Sequence, residues 1–106
     1  MTPRRIQLKR TPGFRLPPNT VVVTRGPGKL FGNPFLIANV LEFFDGDKQR
    51  AAQACVNAYR DWLYQSAEGD ELRGLIRSKL RGKNLACWCA DGMPCHADVL
   101  LKIANR

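Results

Sequence analysis

No stretch of this 106-residue chain approaches the roughly 20 consecutive apolar residues that a membrane-spanning helix needs. No apolar segment follows the basic first residues either, so a secretory signal is not expected and a cytoplasmic location is. The chain contains no internal repeat, low-complexity tract or linker, and its length suits one domain over residues 1–106, with 1–5 as a flexible end. Acidic residues are missing from the first 41 positions, where seven Lys and Arg stand alone; the first of the nine carboxylates is Glu42. That asymmetry, in a chain of net charge +8, fits either a polyanionic or phosphate-bearing partner or a solvated basic tail. Histidine occurs once, as His96. Cysteine occurs four times, at 55, 87, 89 and 95. Without an export signal the compartment is expected to be reducing, which favours a metal site or reactive thiols over a disulfide framework.

The remaining sequence is punctuated clearly. Ile6-Gln7-Leu8-Lys9 alternates and predicts a short edge strand, and the β-branched run Val21–Thr24 predicts a buried one. Apolar residues at three- and four-residue steps (Ala51, Cys55, Ala58, Tyr59, Trp62, Leu63) predict a helix from Asp47 to about Gln65, capped by Asp45 or Asp47. A second helix is expected from about Asp70 to Arg81, stopped by Gly82. Asn84–Cys89 reads as a strand, and Pro94 suits the first turn of a last helix with Ala97, Leu100, Leu101 and Ala104 inward. The order β-β-α-α-β-α predicts an α/β fold, a small single-layer sheet of about three strands covered by helices.

The chemistry concentrates at Cys87-Trp88-Cys89 and Cys95-His96. Alternation on a strand points Cys87 and Cys89 to one face and Trp88 to the other. Three readings are open. Cys87, Cys89, Cys95 and His96 form a three-sulfur, one-nitrogen set that zinc takes, although the spacing C-x-C-x₅-C-H is not the usual C-x₂-C knuckle and neighbouring side chains diverge on a helix. Alternatively Cys95, at a helix N-terminus, is a low-pKa nucleophile with His96 or Asp98 as base, or Cys89 takes that role; a hydrolase or transferase acting on a nucleotide-like substrate would use such a group. Finally, the thiols are small buried hydrophobes and the cluster is structural, as is expected for Cys55.

Arg25-Gly-Pro-Gly-Lys29 and Gly32-Asn33-Pro34 follow the second strand. They match neither a P-loop nor a dinucleotide fingerprint. Even so, glycines permit close backbone approach and the cations suit phosphate, so Arg25, Lys29, Gly32 and Asn33 are candidate ligand-binding residues. If strands 21–24 and 84–89 are parallel, this loop faces the Cys/His loop across one sheet edge.

Phe31-Gly-Asn-Pro-Phe35, Leu85-Ala-Cys-Trp-Cys89 and Pro94-Cys-His-Ala-Asp-Val-Leu100 together resemble an uncharacterised family of small phage and bacterial domains, from about Ile6 to Asn105. Many members have Trp where this chain has Phe31. The resemblance implies a phage-associated or bacterial cytoplasmic setting and no defined activity. Three functions are therefore open: binding of a nucleotide or nucleic acid beside a zinc-organised loop, catalysis on a nucleotide-like substrate, or a phage accessory role binding a host protein.

Overall fold

The structure, a computed structural model, describes residues 2–26, 29–90 and 92–106. Three short strands, β1 (Arg5–Gln7), β2 (Thr20–Val22) and β3 (Asn84–Cys87), form one parallel sheet in the order β1-β3-β2. Ile6 lies beside Ala86 and Val21 beside Leu85. The ladder continues one residue past each outer strand, through Leu8 N to Cys87 O (2.8 Å) and Val23 N to Ala86 O (2.9 Å). All three carboxyl ends therefore open on the same edge, where ligands of open parallel sheets are bound.

The central strand is β3, and Leu85, Ala86 and Cys87 are each at most 1% exposed. Such complete burial is what a parallel strand paired on both sides undergoes. β2, expected as a buried strand, is instead a half-buried edge; only Val23, just beyond it, is fully buried. The expected strand to Cys89 ends at Cys87, where the chain bends and leaves Trp88 49% exposed. Arg5 belongs to β1, and Arg4 N donates to the Asn84 side chain at 3.1 Å.

Helix α1 (Lys48–Gln65) is capped by Asp47, whose carboxylate accepts from Gln49 N and Arg50 N. It buries Ala51, Ala52, Cys55, Val56, Tyr59 and Leu63 along one face. Tyr59 carries its hydroxyl into the core and donates to Phe31 O at 3.1 Å. Helix α2 (Ala67–Leu80) starts three residues before the expected Asp70, because Ser66 serves both helices. The Ser66 hydroxyl donates to Trp62 O at 2.7 Å and accepts from Gly69 N at 2.9 Å. The tight junction needs Gly69, where a Cβ would stand 2.4 Å from Trp62 O.

Helix α3 (His96–Ala104) begins after Pro94 rather than on it, with Cys95 in extended geometry as its N-cap residue (φ −145°, ψ 142°). Its apolar face (Ala97, Leu100, Ile103, Ala104) packs on α2, α1 and β3 and closes the core. Two 3₁₀ turns, Ile37–Asn39 and Leu41–Phe44, fill a stretch for which the sequence pattern predicts no element. Among the described residues, no helix is long and apolar enough to cross a membrane.

Candidate metal centre

The bend after β3 and the entry to α3 bring three sulfurs together. The Sγ atoms of Cys87, Cys89 and Cys95 all lie within 4.8 Å of one another. Cys87 and Cys95 are 2.9 Å apart, too far for the roughly 2.05 Å of a disulfide. Cys87 and Cys95 are buried, and Cys89 is half-buried at the rim.

His96 sits beside this triad without joining the mutually close set. Its Nδ1 is 3.7 Å from Cys95 Sγ, and its Nε2 is 2.6 Å from Val23 O. A carbonyl can only accept, so Nε2 carries the proton and the Nδ1 lone pair is directed toward the sulfurs. Cys95 stands outside the helix while His96 is its first residue, so the two neighbouring side chains approach each other although His96 stays outside the set of three sulfurs. Burial lowers the His96 pKa, and the Arg25 charge acts in the same direction, so the ring is neutral at pH 7.

The three thiols do not titrate alike. Hydrogen bonds from Cys87 and Cys95 hold the Cys89 thiol well below its usual range, with the Arg5 charge assisting. Cys87, the partner in the first of those bonds, is pushed up to about 11. Cys95 is also raised, by its hydrogen bonds to Cys87 and Cys89 and by burial. Cys95 is the thiol expected to be lowered; its two neighbouring sulfurs and its burial raise it despite the helix terminus, and the lowered thiol is Cys89.

Arg5 fixes the loop that joins the cysteines, a role the sequence does not signal. Its Nη1 donates to Met93 O (2.8 Å) and to Asp98 Oδ2 (3.0 Å), and its Nη2 to Ala90 O (3.3 Å). The turn is closed by Met93 N to Ala90 O, with Gly92 at φ +85°, a left-handed geometry glycine adopts without strain. Asp98 is thus engaged by Arg5 on the loop rather than poised as a base for Cys95.

The glycine-rich segment divides. Arg25 is exposed and close enough to act on the His96 charge. Lys29 is exposed beside Val21, Val22, Thr24, Leu30 and Phe31, a hollow that contains none of the cysteines. Pro27 and Gly28 lie outside the described residues. Gly32 and Asn33, also expected to bind a ligand, make close contacts within the chain. A Cβ on Gly32 would stand 2.3 Å from Arg25 Cα, so its glycine serves chain packing. Asn33 is 4% exposed, donates to Cys55 O (3.1 Å) and accepts from Phe35 N (2.9 Å), tying the loop to α1. Cys55 lies in the core apart from the triad.

A family model described as domain of unknown function (DUF4326) matches residues 6–106. The chain belongs to that family. The match takes in β1 from Ile6 onward, the glycine-rich segment and the whole cysteine centre of this DUF4326 domain. No curated protein and no solved structure matches it.

Proposed function

We propose that this domain holds one zinc ion through Cys87, Cys89, Cys95 and His96 Nδ1, and that the loop so organised binds a phosphate-bearing ligand, a nucleotide or nucleic acid, beside it. The convergence of three sulfurs at the carboxyl edge of the parallel sheet carries this reading.

The donor chemistry supports it. Zinc takes three thiolates and one imidazole in a tetrahedron whose sulfur–nitrogen edge is about 3.6 Å, from bonds near 2.3 and 2.0 Å. The Cys95–His96 separation of 3.7 Å is already at that length. The matching sulfur–sulfur edge is about 3.8 Å. The 2.9 Å contact of Cys87 with Cys95 therefore opens by a little under an ångström on loading. A ligating histidine generally gives its other N–H to a carbonyl or carboxylate, and Val23 O stands in that place. Four protein ligands leave no open position, which suits a structural ion rather than a catalytic one. The phosphate-bearing ligand is supported by the net charge of +8 and the basic first 41 residues.

Metal analysis of protein purified without added zinc tests the reading. One zinc per chain is expected, and Cys87→Ser and Cys89→Ser should each lower that occupancy. A second reading, a reactive Cys89, is favoured by its half-exposed, low-pKa thiol beside Arg5. Metal-free protein whose Cys89 is alkylated far faster than its other thiols would establish it in place of zinc.

A further inference from the structure

Residues of α1 and α3 enclose a cleft of about 330 Å³. Cys95 and Pro94 form one end, so the cleft adjoins the sulfur centre. Val56 from α1 and Val99 and Ile103 from α3 supply apolar lining, and Arg60, Lys102 and Arg106 supply three cations. Helical spacing produces this mixture: Arg60 follows Val56 by one turn, and Lys102 lies within a turn of Val99.

The positive charge is only weakly compensated. Among the described lining residues Asp98 carries the one side-chain carboxylate, and Arg5 holds it at 3.0 Å. Arg60 lies 3.4 Å from Asp61, but both side chains are more than half exposed and solvent screens the pair. Arg106 donates to the neutral Tyr64 hydroxyl at 3.2 Å.

We propose that this cleft is the binding site for a nucleoside monophosphate, its phosphate held by Arg60, Lys102 and Arg106 and its ring laid against the Val56 and Val99 wall. The proposal rests on the reading that the domain takes a phosphate-bearing ligand, and places that ligand between the helices rather than on the glycine-rich loop. The cleft volume stands at the small end of ligand pockets, about 300–1,000 Å³, which suits one mononucleotide better than a dinucleotide. A purely anionic site would have no use for the valine lining, and a purely apolar one none for three cations at its walls.

Calorimetric titration of the zinc-loaded full chain with AMP, CMP, adenosine and inorganic phosphate tests it. At least one nucleoside monophosphate should bind about tenfold or more tightly than adenosine or inorganic phosphate, the loss expected when charge-assisted bonds or the ring contact is missing. Arg60→Glu and Lys102→Glu change exposed side chains. Each should weaken that nucleotide about tenfold or more while leaving zinc content and melting temperature unchanged. Nucleotide binding that survives both changes but is lost in Arg25→Ala would overturn the cleft and keep the phosphate reading. Inorganic phosphate binding as tightly as the nucleotides would overturn the nucleoside assignment. Absence of binding by any phosphate-bearing probe, in protein with full zinc content, would overturn both the cleft and the phosphate reading while leaving the metal centre standing.

Discussion

Loading the sulfur centre with zinc at pH 7 should release two protons per ion. In the metal-free protein the three sulfurs lie within 4.8 Å, and a second thiolate there would face like charge at close range. The Cys89 thiol is held low, whereas Cys87, pushed up to about 11, and Cys95, raised as well, hold their protons more tightly, so the three sulfurs are expected to share one negative charge at pH 7. Zinc needs three thiolates, so two protons leave. His96 adds none, since burial keeps it neutral. The sign follows directly: with two protons displaced, affinity rises with pH, about a hundredfold or 2.7 kcal/mol per pH unit, as long as both thiols stay protonated. Titration calorimetry in buffers of different ionisation enthalpy, between pH 6.5 and 8, gives the proton count from the slope of apparent heat against buffer enthalpy. A count near three would refute the shared-charge arrangement of the thiols. A count near zero would refute the thiols as ligands.

Arg5→Ala frees the Ala90 and Met93 carbonyls and the Asp98 carboxylate together, so zinc affinity should fall about 10–100-fold, as when other outer contacts of a metal site are removed. Competition with a chelating dye measures this, and an unchanged affinity would show that the loop holds its shape without the guanidinium. Gly32→Ala forces a methyl to 2.3 Å from Arg25 Cα, where backbone must move, and should cost about 2–4 kcal/mol in denaturant unfolding. Full stability would contradict the packing role given to that glycine. Metal-free, reduced protein should lose stability as pH rises from 9 toward 11. Thiols raised in the folded state stabilise it below their unfolded pKa and lose that contribution as they ionise, with Cys87 supplying about 2 kcal/mol. Thermal melts should show this loss reduced in Cys87→Ala.

Local chemistry carried most of the fold. The period of Ala51, Cys55, Tyr59 and Leu63 defines α1 because one face is buried throughout, and Asp47 caps it through its own neighbours. Cys87 and Cys89 come together and Trp88 is half exposed, but through the bend after β3 rather than through alternation along a strand. Elsewhere the deciding partner is distant in sequence. Nothing near Arg5 announces that its guanidinium reaches residues 90, 93 and 98. Asn33 looked like a ligand residue in a glycine-rich loop, yet its amide meets Cys55 O on a helix 22 residues away. The approach of Cys95 to His96 depends on the extended N-cap conformation of Cys95, which places it outside the helix that His96 begins. The early start of α2 depends on Ser66 bonding both ways at once, a pattern that helix periodicity does not encode.

X-ray absorption at the zinc edge of the metal-loaded chain bears most directly on the centre. Three sulfurs near 2.3 Å and one nitrogen near 2.0 Å are expected, with the nitrogen shell replaced by oxygen in His96→Ala. A shell of oxygen and nitrogen alone, or a nitrogen that persists without His96, would contradict the assignment of Cys87, Cys89, Cys95 and His96 as the ligands.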